Sequence, residues 1–390
     1  MHVDGMELLR ELETKAEGIA RCHGCAESND SARAPLCHHP EMAVSERTEY
    51  RIEPVDLASA DDTLLRELND LQNEIAHERA PEEPPIALEV LALRVRNRPG
   101  FLKMREWIVR APAGQLVARG FIARWEADTN QHLRDANIDV APAHRRRGVA
   151  KRLLREIVNA AGSSDDIVIE FAANDRVPAS EAFLRRIGAH ETLRTHINQV
   201  PIAEIDRGLV HEWAMLDPTG YRLVWIDGDV PEELMGNVIV AYDTMNTAPR
   251  GEAMEDWHST PDLIRQFDRS RNATGRLRRL LLAIEDATGA TAGFTEMSHD
   301  PLTPHLLGQG GTAVVPTHRG RGIGKWLKAT MLERVLDEWP GATLVRTGNA
   351  DANAPMLAIN TRLGFRPAWA TIVYEVNIAD ARRYAGSVPV

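Results

Sequence analysis

The sequence predicts an α/β chain built as two tandem domains, each a mixed sheet flanked by helices. Two observations predict this. An arginine- and glycine-rich turn occurs twice, as Arg145-Arg146-Arg147-Gly148-Val149-Ala150 and as Arg319-Gly320-Arg321-Gly322-Ile323-Gly324. Each copy follows a β-like run closed by a proline, over residues 138–142 and 313–316. Each also precedes an amphipathic helix, with Val149, Leu153 and Ile157 on one stripe and Ile323, Leu327, Met331 and Val335 on the other. The second observation is register. Tyr50 and Tyr221 lie 171 residues apart, Arg145 and Arg319 lie 174 apart, and Gly188 and Gly364 lie 176 apart. Chance rarely keeps the spacing of an internal repeat so nearly constant.

Tyr50-Arg51-Ile52 and Tyr221-Arg222-Leu223 read as the opening strands of the two copies. One or two helices follow, then a β-hairpin, the strand before the turn, the turn helix, a strand, a helix and a final strand. The hairpins flank Pro112-Ala113-Gly114 in the first copy and Ala287-Thr288-Gly289 in the second. Residues 205–215 read as a short helix and Leu216-Asp217-Pro218-Thr219-Gly220 as a turn, which sets the boundary near residue 215. The expected division is an extension over 1–47, a first domain over 48–214 and a second over 215–390, each domain long enough to bury its own core.

A strand, tight turn and helix in this order bring orphan backbone N–H groups together at a helix start, where the helix dipole favours an anion. Gly148 and Ala150, or Gly322 and Gly324, keep side chains away from that point. Neither copy has the glycine spacing of the dinucleotide fingerprint or of the GxxxxGK[ST] loop. Arg-x-x-Gly-x-Gly/Ala after a strand closely resembles the signature of the GNAT acyltransferase superfamily. The run from Gln309 and Thr312 through His318-Arg319-Gly320, Lys328 and Met331 to Asn349, Asn353, Asn360 and Leu363-Gly364-Phe365 is similar to a subgroup of tandem actinobacterial GNAT proteins.

The resemblance implies twisted, mostly antiparallel sheets, each with a splayed central strand pair. It further implies acetyl-CoA as co-substrate, with the pyrophosphate held by the turn and the pantetheine arm in the splay. The coenzyme residues so implied are Val314, Val315, Arg319, Gly320, Arg321, Gly322, Ile323, Gly324, Lys325 and Asn353, with Arg145, Gly148 and Ala150 as a second set. Acyl transfer to an amine needs proximity, a neutral amine, donors for the oxyanion and an acid for the thiolate. Glu296 is the expected base, and Gln309, Thr312 and Asn360 are the accompanying polar groups. Many relatives carry a tyrosine as general acid where this chain has Asn360, and an amide hydrogen-bonds a thiolate but does not protonate it as a phenol does. In the first copy the matching residue is Leu184, and Ala189 replaces Phe365, so the second copy is expected to be catalytic and the first degenerate. Residues 245–251, with Trp257, are candidates for an acceptor wall.

The expected activity is N-acetylation of a small-molecule amine, such as an amino sugar, an antibiotic or a thiol precursor. The alternatives are a non-catalytic acyl-CoA sensor or scaffold and a protein or peptide N-acetyltransferase. All three cysteines precede the first domain. Cys22, Cys25, Cys37 and His38 have ligand-like spacing, but the residues between them lack periodicity, so a disordered tail is expected rather than zinc. A tail of this kind would also fit an upstream extension of a chain starting at Met42. No metal is expected at the acyl-transfer site. A net charge of −11 argues against nucleic acid as a partner. The lack of a long apolar stretch or an apolar N-terminal segment points to a cytoplasmic monomer or homodimer without membrane contact.

Overall fold

The structure, a computed structural model, describes residues 50–386. Cys22, Cys25, Cys37, His38 and the expected tail lie outside the described residues. Two runs of elements repeat one plan. The first has β1 (Arg51–Val55), α1 (Asp62–Arg79), α2 (Leu88–Arg96), β2 (Leu102–Arg110), β3 (Leu116–Trp125), β4 (Leu133–Val140), α3 (Val149–Ala160), β5 (Val168–Asn174), α4 (Pro178–Arg186) and β6 (His190–Pro201). After α5 (Arg207–Ala214) come β7 (Tyr221–Asp227), α6 (Met235–Asp243), α7 (Pro261–Ala273), β8 (Leu277–Glu285), β9 (Thr291–His299), β10 (Leu306–Val314), α8 (Ile323–Glu338), β11 (Leu344–Ala350), α9 (Ala354–Arg362), β12 (Arg366–Asn377) and α10 (Ile378–Ala385).

The local signals act where they should. The Asp61 carboxylate accepts from Leu64 N at 2.8 Å to start α1, and Thr260 before Pro261 caps α7. The β2–β3 hairpin closes by Ala111 N donating to Gln115 O at 2.8 Å. Strand β3 is buried along most of its length, Val117, Ala118 and Ile122 in the first core and Phe121 and Ala123 in another.

What the element order does not reveal is how the two runs join. All twelve strands form one sheet, in the order β1-β2-β3-β4-β5-β12-β6-β11-β10-β9-β8-β7. The last strand of each run crosses to the other. Strand β12 pairs antiparallel with β5 of the first run, and β6 pairs antiparallel with β11 of the second. The two exchanged strands pair with each other, and Thr195 stands opposite Thr371, its own counterpart in the repeat. The pairing is therefore self-complementary, as at the two-fold interface of a homodimer, but within one chain.

The helices that follow the exchanged strands cross with them. Ile378, Ala381 and Ala385 of α10 belong to the first core, together with Leu153, Ile157 and Val158 of α3. Val210 and Trp213 of α5 belong to the second core, with Trp326, Leu327 and Met331 of α8. The short helix read as a junction is thus part of the second core. A third core, around Trp257 and Phe294, also takes in Phe101 and Phe121 from the first run.

Each half is completed by a strand and a helix from the other. Residues 48–214 and 215–390, produced separately, are expected to give weakly structured, self-associating material, whereas the whole chain should melt in one transition. Circular dichroism and sedimentation check this; a monomeric 48–214 fragment melting near the intact chain would contradict it.

Candidate active site

In the second half, β10 pairs parallel with β11 only over Leu306–Gln309 against Leu344–Thr347. Beyond that point β10 stays with β9, through a bulge between Gln309 and Thr312, while β11 stays with β6. A gap opens between two neighbouring strands, and the backbone of residues 310–314 faces it without a partner on β11. Gly310 is needed here, since a Cβ at that position would lie 2.9 Å from Glu296 Cγ.

At the mouth of the gap, Gly322 begins α8 in the left-handed region at φ 83°. No side chain caps this helix and no acidic residue lies in its first turn, so its first N–H groups are open to an anion. Gly324 sits on α8 where a Cβ would lie 3.5–3.6 Å from Ile359 and Val314. Arg319 is held on its turn, Nε donating to Val314 O at 3.0 Å and Nη2 to Thr247 Oγ1 at 2.7 Å. Arg321 donates to Tyr221 Oη, which in turn contacts His318 Nδ1 at 2.9 Å. His318 is thereby a structural residue, and His144 repeats the arrangement with Tyr50 at 3.0 Å. Lys325 lies 5.2 Å from the Trp213 ring. Val315 N donates to Ala292 O at 2.8 Å, and Ile323 is buried under the turn.

The first half has the same gap, β4 meeting β5 only over Leu133–Ala136, and Gly148 starts α3 at φ 82° without a cap. Its charge is different. Arg145 Nη1 and Nη2 donate to both oxygens of Glu78 at 2.6 and 2.5 Å, and Arg79 donates to Asp139 at 2.7 Å. A bidentate carboxylate cancels the arginine that Arg319 leaves available to an anion. Ala150 is partly buried against the first core.

The gap of the second half leads into a cavity of about 310 Å³. Glu296, Gln309, Thr312 and Asn353 all line it. Asn360 is buried beside it and donates to Asn349, which faces the cavity. Glu296 is only 7% exposed. Its Oε2 accepts from Tyr242 Oη at 3.1 Å, and Tyr242 accepts from Arg278 Nη1 at 2.9 Å. Gln309 Nε2 donates to Glu296 O at 2.7 Å and to Thr295 Oγ1 at 3.2 Å, and Thr295 meets Thr312 Oγ1 at 2.7 Å. Gln309 Oε1 and Asn360 Oδ1 are buried without a hydrogen-bond partner. Glu296, Gln309, Thr312, Asn353 and Asn360 are therefore brought together around this cavity.

The opposite wall is the segment from Met245 to Trp257, and the floor is made of Leu193, Thr195, Trp369, Thr371 and Val373 on the exchanged strands. The first half holds that segment in place. Asn130 N donates to Glu255 Oε2 at 2.9 Å, Glu255 N donates back to Asn130 Oδ1 at 2.8 Å, and His132 Nε2 meets Ala253 O at 2.8 Å. On the floor, Trp369 lies 5.2 Å from Arg176 and 5.0 Å from Arg346, one cation from each half.

Sequence reasoning did not single out Tyr242, Thr295 or Lys328 for a role. Lys328 had a visible signal: it interrupts the apolar run Trp326-Leu327-Lys328-Ala329-Thr330-Met331-Leu332. It is 1% exposed, faces the cavity, and has its Nζ 5.7 Å from the centre of the Phe365 ring. Burial alone pulls its pKa down to about 7.

With this geometry in place, the comparisons fall into line. The acetyltransferase (GNAT) family model matches residues 65–189 and 242–365. The chain belongs to that family and is an acyltransferase; the family generally uses acetyl-CoA. It is 31% identical over 254 residues to a mycothiol acetyltransferase of Nocardia farcinica (strain IFM 10152), covering 62% of this chain and 74% of that one. Among solved structures, a tandem GNAT protein from the clavulanic acid biosynthesis pathway superposes with a TM-score of 0.67 at 26% identity, over 85% of this chain and 99% of that one. A GCN5-related N-acetyltransferase from Sphaerobacter thermophilus shares the fold with a TM-score of 0.59 at 14% identity, over 84% and 96%. Among the described residues no cluster of three His, Cys, Asp or Glu could hold a metal, and no helix is long and apolar enough to cross a membrane.

Because the folded-state pKa of Lys328 lies below that of the unfolded chain, the unfolded chain binds the extra proton between about pH 7 and 10.5, and stability rises with pH across that window. Lys328→Met is expected to be more stable than wild type at pH 7, with the difference shrinking by about 2 kcal/mol by pH 9. Urea unfolding at both pH values measures it; parallel pH dependences would contradict it.

Proposed function

We propose that this chain transfers the acetyl group of acetyl-CoA to the amine of a small molecule by direct attack in a ternary complex, at the cavity of residues 215–390. Residues 48–214 act as its structural partner. The observation that carries this reading is the path from an uncapped, glycine-lined helix start, through a strand gap, into a cavity with a buried carboxylate. The residues fit the co-substrate: the α8 N-terminus, Arg319, Arg321 and Lys325 offer N–H groups and charge to phosphates, and the unpaired edge of residues 310–314, Val314 included, offers backbone partners to an amide-bearing arm. Asn353 sits at the far side of that gap as the residue before α9.

In this reading Glu296 takes the proton of the attacking amine. Tyr242 and Arg278 hold its carboxylate in place, and Gly310 lets β10 pass close beside it. Gln309, Thr295 and Thr312 fix the bulge of β10, so the backbone facing the reacting carbonyl is rigid before the substrate arrives. Asn360 contributes a hydrogen bond without a transferable proton. A cavity of about 310 Å³ has the size of a small acceptor. Likeness to a mycothiol acetyltransferase adds an amine-bearing thiol precursor to the acceptors worth testing, beside amino sugars and antibiotics.

Calorimetry should find acetyl-CoA bound by wild type and by Gly148→Glu but not by Gly322→Glu. Wild type failing to bind, or Gly148→Glu alone failing, would refute the placement. With free-thiol release followed over a panel of these amines, Glu296→Gln should lower turnover by about 10²-fold or more while leaving acetyl-CoA affinity within a few-fold. The acid limb of the pH–rate profile should vanish with it, and an unchanged profile would remove Glu296 from the base role.

A further inference from the structure

The strongest unexplained feature is Lys328. It is 1% exposed in the middle of α8, and no carboxylate lies within ion-pair distance of its Nζ among the described residues. No hydrogen bond of its ammonium is found there either. A buried, unpaired lysine costs several kcal/mol in a folding role alone. The repeat supplies a control. The residue that matches Lys328 in the first half, counted from the glycine turn, is Leu154, which is fully buried in the first core. The matching residue of Asn360 is Leu184, also in that core. Two core leucines of one half are thus a lysine and an amide in the other, and both lie at the gap between β10 and β11.

The charged neighbours do not account for Lys328. On the strand side, Glu296 is held by Tyr242, and Arg278 and Arg271 share Asp268 at 3.4 and 2.7 Å. On the floor, Arg346 pairs with Glu83, and Glu170 faces the cavity from β5. Arg250 pairs with Asp256, and Arg276 donates to Ser298 at 3.2 Å. On the far faces of α8, His211 of α5 meets Glu333 at 2.8 Å and Arg279 of β8 meets Glu338 at 2.9 Å. A ligand threading the gap from the glycine turn meets the point where β10 and β11 rejoin, at Gln309 and Thr347, and Lys328, Thr347 and Asn349 line the cavity there.

We propose that Lys328 faces the sulfur of the co-substrate, and that its ammonium supplies the proton to the departing thiolate, the task that Asn360 cannot perform. This rests on the acetyl-CoA reading above. In the transfer, the acceptor nitrogen's lone pair forms the C–N bond and the C–S electron pair leaves with sulfur. Sulfur takes a proton from Lys328, and the proton released by nitrogen passes to Glu296 and through solvent, which recharges the lysine. The site as a whole thereby takes a thioester of a phosphate-bearing thiol and releases the free, protonated thiol. A lysine with a pKa near 7 is charged often enough to donate and neutral often enough to be recharged.

The test needs no acceptor. Free CoA is titrated in complex with wild type and with Lys328→Met, following the ultraviolet absorbance of the thiolate, and CoA and desulfo-CoA affinities are compared by calorimetry at pH 7 and 8.5. Methionine matches lysine in length and suits the apolar surroundings, and Lys328→Arg serves as a second, charge-retaining variant. Bound CoA should ionise about tenfold more readily in Lys328→Arg, which keeps its charge throughout the thiol's titration, than in Lys328→Met, a difference of about one pH unit. The preference for CoA over desulfo-CoA should disappear in Lys328→Met. Equal thiol titration in proteins that all bind CoA would overturn the lysine's role and leave the coenzyme reading standing. Wild type binding neither CoA nor desulfo-CoA would overturn both.

Discussion

Everything in the molecule depends on the antiparallel pairing of β6 with β12 about Thr195 and Thr371. A repeated chain that kept its final strands at home would give two sheets, each with a free edge at its sixth strand. Exchange removes both edges, since each crossing strand is covered on both sides and brings its own helix onto the partner core. The register is fixed by more than hydrogen bonds. Alternate residues of β12 face the first core (Ala370, Ile372, Tyr374) and the cavity (Trp369, Thr371, Val373), so a slip by one residue would invert both surfaces.

The same pairing explains why one working site can use two halves. The exchanged strands form the floor of the cavity, and the segment from Met245 to Trp257 is pinned across it by Asn130, His132 and Glu375, whose Oε2 accepts from Ala253 N at 3.0 Å. Aromatic contacts across the halves, Phe101 with Phe267 at 4.9 Å and Trp125 with Trp257 at 5.8 Å, tighten that wall. The first half fills its own turn with Glu78, paired to Arg145, and its own gap with Arg79, paired to Asp139, and its loops support its neighbour.

The elements of each half were legible because their signals are local. Proline-closed strands, glycine turns and 3.6-residue stripes report on neighbours a few residues away, and so does the cap of α1 by Asp61. Most of the glycine turn was legible for the same reason, Arg319 to Lys325 being seven consecutive residues. Strand exchange was not, because the alternation of β6 and β12 is satisfied equally by its own half or the other; only the matching of two sequences 176 residues apart distinguishes them, and both copies match. Tyr242 escaped notice because it closes an ordinary apolar helix, and its meaning appears only when Glu296 arrives from β9. The wall over residues 245–257 was visible as composition, while its anchoring by Asn130 and His132 joins residues more than a hundred positions apart. Long-range pairing of polar groups leaves no periodic trace.

Two halves with one fold allow the demands of packing and of chemistry to be separated. Wherever the first half has a core leucine at the strand gap, Leu154 and Leu184, the second has a polar group that the core could do without. Gln309 and Asn360 each retain a buried oxygen without a partner, at a cost of about 1–3 kcal/mol apiece, and Lys328 adds the desolvation of an amine. Packing alone favours leucine at Lys328 and Asn360, where the first half has Leu154 and Leu184. Lys328, Gln309 and Asn360 lie beside the gap between β10 and β11, where the sheet is already unzipped. The second half therefore carries its polar groups where the sheet itself leaves the facing edges of β10 and β11 unpaired.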